Sequence, residues 1–199
     1  MNLPNKLTVA RILFVIPFAI FASLAIYFIK TPNNFVIFNS LALTTFIVAM
    51  LTDFLDGYLA RKYHLVTDFG KLWDPIADKL ITVCFIFYLT QLDKIYWFVA
   101  AFFILRDIIV DGARVVMAQN KIEVAANKWG KLKTILITAF LIVTSIIVSL
   151  EAQYNIASIT WANYLSQSIY TILLVSSVFL SLISVLIYLR AILPYIKNK

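Results

Sequence analysis

Six apolar stretches, each close to the ~20 residues that cross a hydrocarbon core, leave this chain little choice but a set of helices in a bilayer. They run over 10–29, 35–57, 72–91, 95–117, 132–151 and 164–192, and the polar breaks between them are short. In lipid every backbone N–H and C=O must be bonded internally, so spans of this kind are helical. The composition agrees: 62% of the 199 residues are hydrophobic and 14% are charged, where a globular domain is about a quarter charged. Four glycines and five prolines leave little material for a turn-rich β protein. The expected fold is all-α, an integral membrane protein with six transmembrane helices and a cytosol-facing polar cavity, built as a single domain over 1–199. The apolar stretch from Ile12 to Ile29 is too long for the core of a secretory signal, and no small-residue cleavage site follows it. The single cysteine, Cys84, lies in an apolar run and reads as a packing residue.

The cations set the orientation. The breaks after the first, third and fifth stretches carry only Lys30 and Lys94. Arg61, Lys62, Lys71, Arg114, Lys121, Lys128, Lys131 and Lys133 fall on the other side, with Lys6, Arg11, Lys197 and Lys199 of the two ends. Both termini are therefore expected in the cytosol. A net charge of +7 suits a protein against an anionic leaflet and its membrane lipids. Nucleic acid is not an expected partner, because the basic residues sit in short membrane-flanking loops. Trp73, Trp97, Trp129 and Trp161 stand near span ends, where indole rings anchor at the interface.

On that cytosolic side the chain reads Asp53-Phe-Leu-Asp56-Gly57-Tyr-Leu-Ala60-Arg61, followed by Gly70, Asp74 and Asp78. Carboxylates near lipid cost roughly 2.5–3.5 kcal/mol each at a helix centre, and four together repel one another. Divalent cations, which prefer oxygen ligands, make such a cluster tolerable. Asp53 and Asp56 are three apart and share a helix face, and Asp74 and Asp78 are four apart and do the same. Pro75 suits a helix start. If the two helices are antiparallel neighbours, the four carboxylates converge and can hold two cations ~4 Å apart, the arrangement of two-metal phosphoryl chemistry. Gly57, Ala60 and Gly70 keep that side open to a bulky ligand such as a nucleotide, and Arg61 supplies a cation for phosphate. The plain reading is an acidic loop face in solvent, and a lone Asp-x-x-Asp would support nothing more.

All eight positions of a longer pattern are present, however, from Asp53 to Asp78, and here the chain resembles the CDP-alcohol phosphotransferase family. The resemblance implies six transmembrane helices, a cytosolic active site, a homodimer, and transfer of a phosphatidyl or related group from a CDP-linked donor to an alcohol with release of CMP. It implies that Asp53, Asp56, Asp74 and Asp78 ligate two divalent cations, Mg²⁺ or Mn²⁺, and that Asp78 is also the general base. It implies that Asp56, Gly57, Ala60, Arg61 and Gly70 border the CDP moiety. Asp68, outside the pattern, reads as a loop charge or a helix-start residue.

The acceptor alcohol is sought in spans four and five. Arg106, Asp107, Asp111 and Arg114 lie in the cytosolic half of span four, and span five opens with Gly130-Lys131-Leu-Lys133-Thr134. Arg106 and Arg114 lie within ~80° of each other on a helix and can face the same cavity as the aspartates. Arg106 stands ~17 Å from the outer start of its span, too deep to reach water easily, so it needs an anion beside it. Arg106, Arg114, Lys131 and Lys133 are thus the candidate site for an acceptor that itself carries phosphate. The opening Leu3-Pro-Asn5-Lys-Leu-Thr8-Val-Ala-Arg11, the Arg106 to Arg114 spacing and the Gly-Lys-Leu-Lys-Thr block are similar to the family members that join CDP-diacylglycerol to sn-glycerol 3-phosphate. Asp107 departs from them, standing where glutamate is expected. Inositol phosphate, phosphatidylglycerol and serine are the alternative acceptors. A transporter with an acidic ion site is the alternative of another class, although its carboxylates belong near the midplane rather than at one rim. A bacterial cell membrane is the expected location.

Overall fold

A computed structural model describes residues 3–62, 68–119, 128–154 and 159–197. For Asp56 to Arg61, Gly70, Asp74, Asp78 and Lys131 the helical backbone is described and the side chains are not. Among the described residues six helices follow one another: α1 (Leu3–Tyr27), α2 (Pro32–Lys62), α3 (Asp68–Gln91), α4 (Trp97–Gln119), α5 (Lys128–Tyr154) and α6 (Thr160–Lys197). No strand occurs among the described residues, and the all-α expectation holds.

Among the described residues four stretches are long and apolar enough to cross a membrane: Asn5–Tyr27, Pro32–Leu55, Leu132–Tyr154 and Thr160–Arg190. In α3 the described apolar stretch is the shorter Lys79–Gln91. α4 has 23 residues, a spanning length, but carries four charges between Arg106 and Arg114. α6, with 38 residues, is about 57 Å long at 1.5 Å per residue. That exceeds the ~30 Å of a hydrocarbon core, so it continues past the span. The burial pattern is that of a protein in lipid. Large apolar side chains such as Ile16, Ile20, Leu105, Ile172 and Phe179 are exposed, while Arg11, Asn39, Ser145, Ser177, Ser181 and Ser184 are buried. Trp97 and Trp161 are exposed at the first turns of α4 and α6, as interfacial anchors should be.

The chain forms two compact units, residues 1–94 with 145–160, and residues 95–144 with 161–199. In the first, α1 packs along both α2 and α3. Alanines make the close approach possible: Ala22, Ala25, Ala42 and Ala49 are buried, and small residues let helix backbones pack in lipid, where no hydrophobic drive brings helices together. Aromatic rings fill the space between them. Phe85 lies 4.7 Å from Phe46, nearly edge-on, and 5.2 Å from Phe18.

A polar node closes one end of this unit. The buried Asn39 of α2 accepts at Oδ1 from the hydroxyls of Tyr88 (2.7 Å) and Ser145 (3.1 Å). Its Nδ2 donates to the Ser145 carbonyl (2.9 Å) and the Ser149 hydroxyl (2.6 Å). All four hydrogen-bonding positions of the amide are used, and α2, α3 and α5 are tied at one point. Asn39 is near the start of α2 and Tyr88 near the end of α3, so the two helices run antiparallel, as convergence of the aspartates requires.

Helix ends follow local chemistry. Pro32 opens α2 at a position whose N–H has no partner in a helix, after Thr31, whose carbonyl takes the first bond, from Phe35. α3 closes with Lys94 N–H on the Leu89 carbonyl and Asp93 N–H on that of Thr90, and Asp93 adopts a left-handed conformation (φ 56°). This is the Schellman arrangement, more often made with glycine. α3 begins at Asp68, a turn earlier than the apolar pattern indicates. Asp68 is the first described residue of the helix, and Pro75 therefore lies within the helix instead of opening it. In the second unit, Val110, Ala113 and Met117 of α4 pack on Tyr188 and Val185 of α6.

Candidate active site

Asp53 and Asp56 lie in the last turns of α2, and Asp74 and Asp78 in the second and third turns of α3. Asp53 is the member of the set whose side chain is described. Its Oδ1 pairs with Nη1 of Arg11 from α1 at 2.8 Å. The Arg11 side chain is fully buried, while that of Asp53 is 42% exposed. Asn5 and Thr8 are buried along the same stretch of α1, so polar side chains line this end of the helix. Among the described residues no three of His, Cys, Asp and Glu come together; the side chains of Asp56, Asp74 and Asp78 lie outside them. The side chains of Ala60 and Arg61 and the surroundings of Gly57 and Gly70 also lie outside them, while the backbone at all four positions is helical. Asp53 itself suits a hard cation: it offers a carboxylate with one oxygen anchored and an open side.

In the second unit a charged node joins α4, α5 and α6. Arg106 is 7% exposed and Lys133 5% exposed. The Asp107 Oδ1 receives Arg106 Nη1 at 2.6 Å and Lys133 Nζ at 2.9 Å. Arg106 Nη2 donates to the Ser184 hydroxyl at 2.5 Å. One carboxylate thus serves two buried cations. Arg106 Nε and Ser181 Oγ are buried without a hydrogen-bond partner among the described residues. Such orphaned groups are uncommon in folded proteins. Arg114, two turns further along α4, donates to the Tyr188 hydroxyl at 3.2 Å, and its guanidinium carbon lies 5.3 Å from the centre of that ring.

Of the residues assigned from sequence to an acceptor phosphate, Arg106 and Lys133 come together on Asp107, Arg114 stands beside Tyr188, and the side chain of Lys131 lies outside those described. Three contributors were not singled out by the sequence: Arg11 as the partner of Asp53, and Ser184 and Tyr188 as the partners of the two arginines. A signal existed for the α6 pair, since Ser177, Ser181 and Ser184 recur at helical spacing inside an apolar span.

A helical membrane protein carrying the complete acidic pattern over the last turns of α2 and the early turns of α3 has a defined class. The model of the CDP-alcohol phosphatidyltransferase family matches residues 1–189, and the chain belongs to that family. It is an enzyme of phosphatidyl transfer in phospholipid biosynthesis, a membrane protein, and one of a family that is generally divalent-cation dependent. Among its relatives is the CDP-diacylglycerol–glycerol-3-phosphate 3-phosphatidyltransferase of Rickettsia felis, 43% identical over 139 residues, 68% of this chain and 70% of that protein. The Bacillus subtilis enzyme of the same name is 41% identical over 137 residues, 67% and 70% of the two chains. That of Haemophilus influenzae is 34% identical over 137 residues, 67% and 69%.

Proposed function

We propose that this protein moves the phosphatidyl group of CDP-diacylglycerol to sn-glycerol 3-phosphate, giving phosphatidylglycerophosphate and CMP. The observation that carries the acceptor is the surplus of buried positive charge at Arg106 and Lys133, which share the single carboxylate of Asp107 and leave Arg106 Nε without a partner among the described residues. An uncharged acceptor gives no return for that arrangement; a phosphate monoester completes it, taking charge-assisted hydrogen bonds from a planar guanidinium. The names of the relatives supply the same pair of substrates.

In this reading one catalytic domain runs through 1–199, with both termini and the site in the cytosol of a bacterial cell and a homodimer as the working form. Asp53, Asp56, Asp74 and Asp78 hold two cations, Mg²⁺ or Mn²⁺. When bound, these screen the pyrophosphate and stabilise departing CMP. Asp56, Gly57, Ala60, Arg61 and Gly70 border the CDP moiety, the small residues admitting it close to the backbone. Arg106, Arg114, Lys131 and Lys133 hold the acceptor phosphate. Asp78 takes the proton of the acceptor hydroxyl, whose oxygen bonds to the β-phosphorus as the bond from that phosphorus to the CMP oxygen breaks.

The test is an acceptor panel. Purified protein with CDP-diacylglycerol and Mg²⁺ or Mn²⁺ is offered glycerol 3-phosphate, inositol 3-phosphate, phosphatidylglycerol or serine, and CMP release is followed. Turnover with glycerol 3-phosphate should exceed that with each of the others. A preference for inositol phosphate would keep the cationic node and change the substrate, and a preference for serine or phosphatidylglycerol would remove the role given to the node.

A further inference from the structure

Arg11 belongs to none of the groups just assigned, yet its guanidinium touches the one proposed metal ligand whose side chain is described. The pair is lopsided. Arg11 is sealed to 0% exposure while Asp53 keeps 42%. Lys94 and Glu151, in the same unit, meet at 2.7 Å with both partners comparably covered, at 20% and 16%. A pair that only fastens two helices has no reason to bury its cation completely and leave its carboxylate open, since a buried guanidinium is costly unless it is paired. A carboxylate has two oxygens and about four lone-pair positions, and Arg11 binds at Oδ1 alone. The Asp53 side chain keeps its exposure with that bond made.

We propose that Arg11 is a positioning residue for the metal centre: it anchors Asp53 by one oxygen from behind and presents the other to a divalent cation. The inference rests on the reading of Asp53 as a ligand. It places α1 in the site as a third wall, its cation bound to the carboxylate. Outer partners of this kind set ligand orientation, and their loss typically costs about tenfold to a hundredfold in metal affinity. The Arg11 charge also offsets the crowding of carboxylates when no cation is bound.

The experiment titrates the detergent-purified full chain with Mn²⁺ alone and reads the free ion by its paramagnetic resonance signal, with no substrate present. Arg11→Met fills the buried volume without charge and should weaken Mn²⁺ binding about tenfold to a hundredfold in protein that retains its helical spectrum. Arg11→Lys should recover part of that loss, because an ammonium supplies the charge but not the fixed fork. Asp53→Asn separates the two ideas. If Asp53→Asn binds Mn²⁺ as the parent does, Asp53 is no ligand and the Arg11 proposal goes with that reading. If Asp53→Asn weakens binding while both Arg11 variants bind like the parent or more tightly, the Arg11 proposal alone is overturned. Should Arg11→Met fail to fold, Arg11→Lys decides by itself: unchanged Mn²⁺ affinity overturns the proposal, and weaker binding by folded protein supports it.

Discussion

A carboxylate shared by two buried cations is a costly object to keep inside a membrane protein, and Asp107 is in that position between Arg106 and Lys133. Its energetics lead to a separable prediction. Arg106→Ala should raise the Michaelis constant for glycerol 3-phosphate roughly tenfold to more than a hundredfold, since losing a hydrogen bond to a charged group costs about 1.5–3 kcal/mol. The constant for CDP-diacylglycerol should change far less. Ser184→Ala, which removes the partner of Nη2 and leaves the Asp107 contact, should move the same constant in the same direction by a smaller factor. Steady-state kinetics on variants shown to be folded checks both, and an unchanged glycerol 3-phosphate constant in Arg106→Ala would sink the phosphorylated-acceptor reading. The need of Arg106 for an anion was legible from its depth in the span; the contribution of Ser184 was not. A serine in an apolar helix ordinarily bonds back to its own chain, as Ser177 does to the Leu173 carbonyl (2.7 Å) and Ser168 to that of Tyr164 (2.7 Å). Nothing in one sequence says which serine turns outward to a neighbouring helix.

Among the helices, α2 and α3 carry the acidic pattern, and their relative register decides whether its two halves stand level. The Asn39 node supplies a physical basis for that register. Asn39 precedes Asp53 by fourteen residues and Tyr88 follows Asp74 by fourteen, about 21 Å of helix in each case. The 2.7 Å bond between Asn39 and Tyr88 therefore sets the two aspartates at matching distances along antiparallel helices. Asn39→Ala would leave the buried Tyr88 hydroxyl without its acceptor and Ser149 without its donor. Interhelical hydrogen bonds in lipid average only ~0.6 kcal/mol, but an unsatisfied buried group adds about 1–3 kcal/mol. The expected loss is about 1–3 kcal/mol in denaturant-driven unfolding from micelles, and a change below about 0.5 kcal/mol, the scale of an ordinary surface substitution, would show that the node holds nothing. Helix type and order were legible from apolar length. The start of α3 was not, because Asp68, Gly70 and Lys71 look like loop residues when each is weighed for polarity, whereas the backbone bonds of a first turn are indifferent to which side chains face water. The role of Asn39 is illegible for a related reason: one asparagine close to a polar break looks like the edge of that break, and its partners lie on α3 and α5.

For the whole molecule, the sequence speaks clearly about the membrane and poorly about subdivision. The line between the two units passes within α5, between Thr144 and Ser145, where no change of composition marks it, since a continuous apolar helix serves either side equally well. Orientation is different, because it depends on where cations are placed rather than on packing. Lys30 and Lys94 are the only cations in one set of breaks, and the basic residues from Arg61 to Lys71 and from Arg114 to Lys133 occupy the other. Each Lys or Arg disfavours transfer across the bilayer during insertion, and short loops feel this most. The end of α2 with Asp53 and Asp56 should therefore face the cytosol, where a soluble phosphorylated acceptor and released CMP are at hand. Single cysteines placed on a Cys84→Ser background at Asn33 and at Lys62, both exposed, test this with a membrane-impermeant maleimide. The Asn33→Cys variant should label in intact cells and the Lys62→Cys variant only after permeabilisation. The opposite pattern would put the aspartates outside, away from any cytosolic supply of glycerol 3-phosphate, and the proposed reaction would have no route to its acceptor.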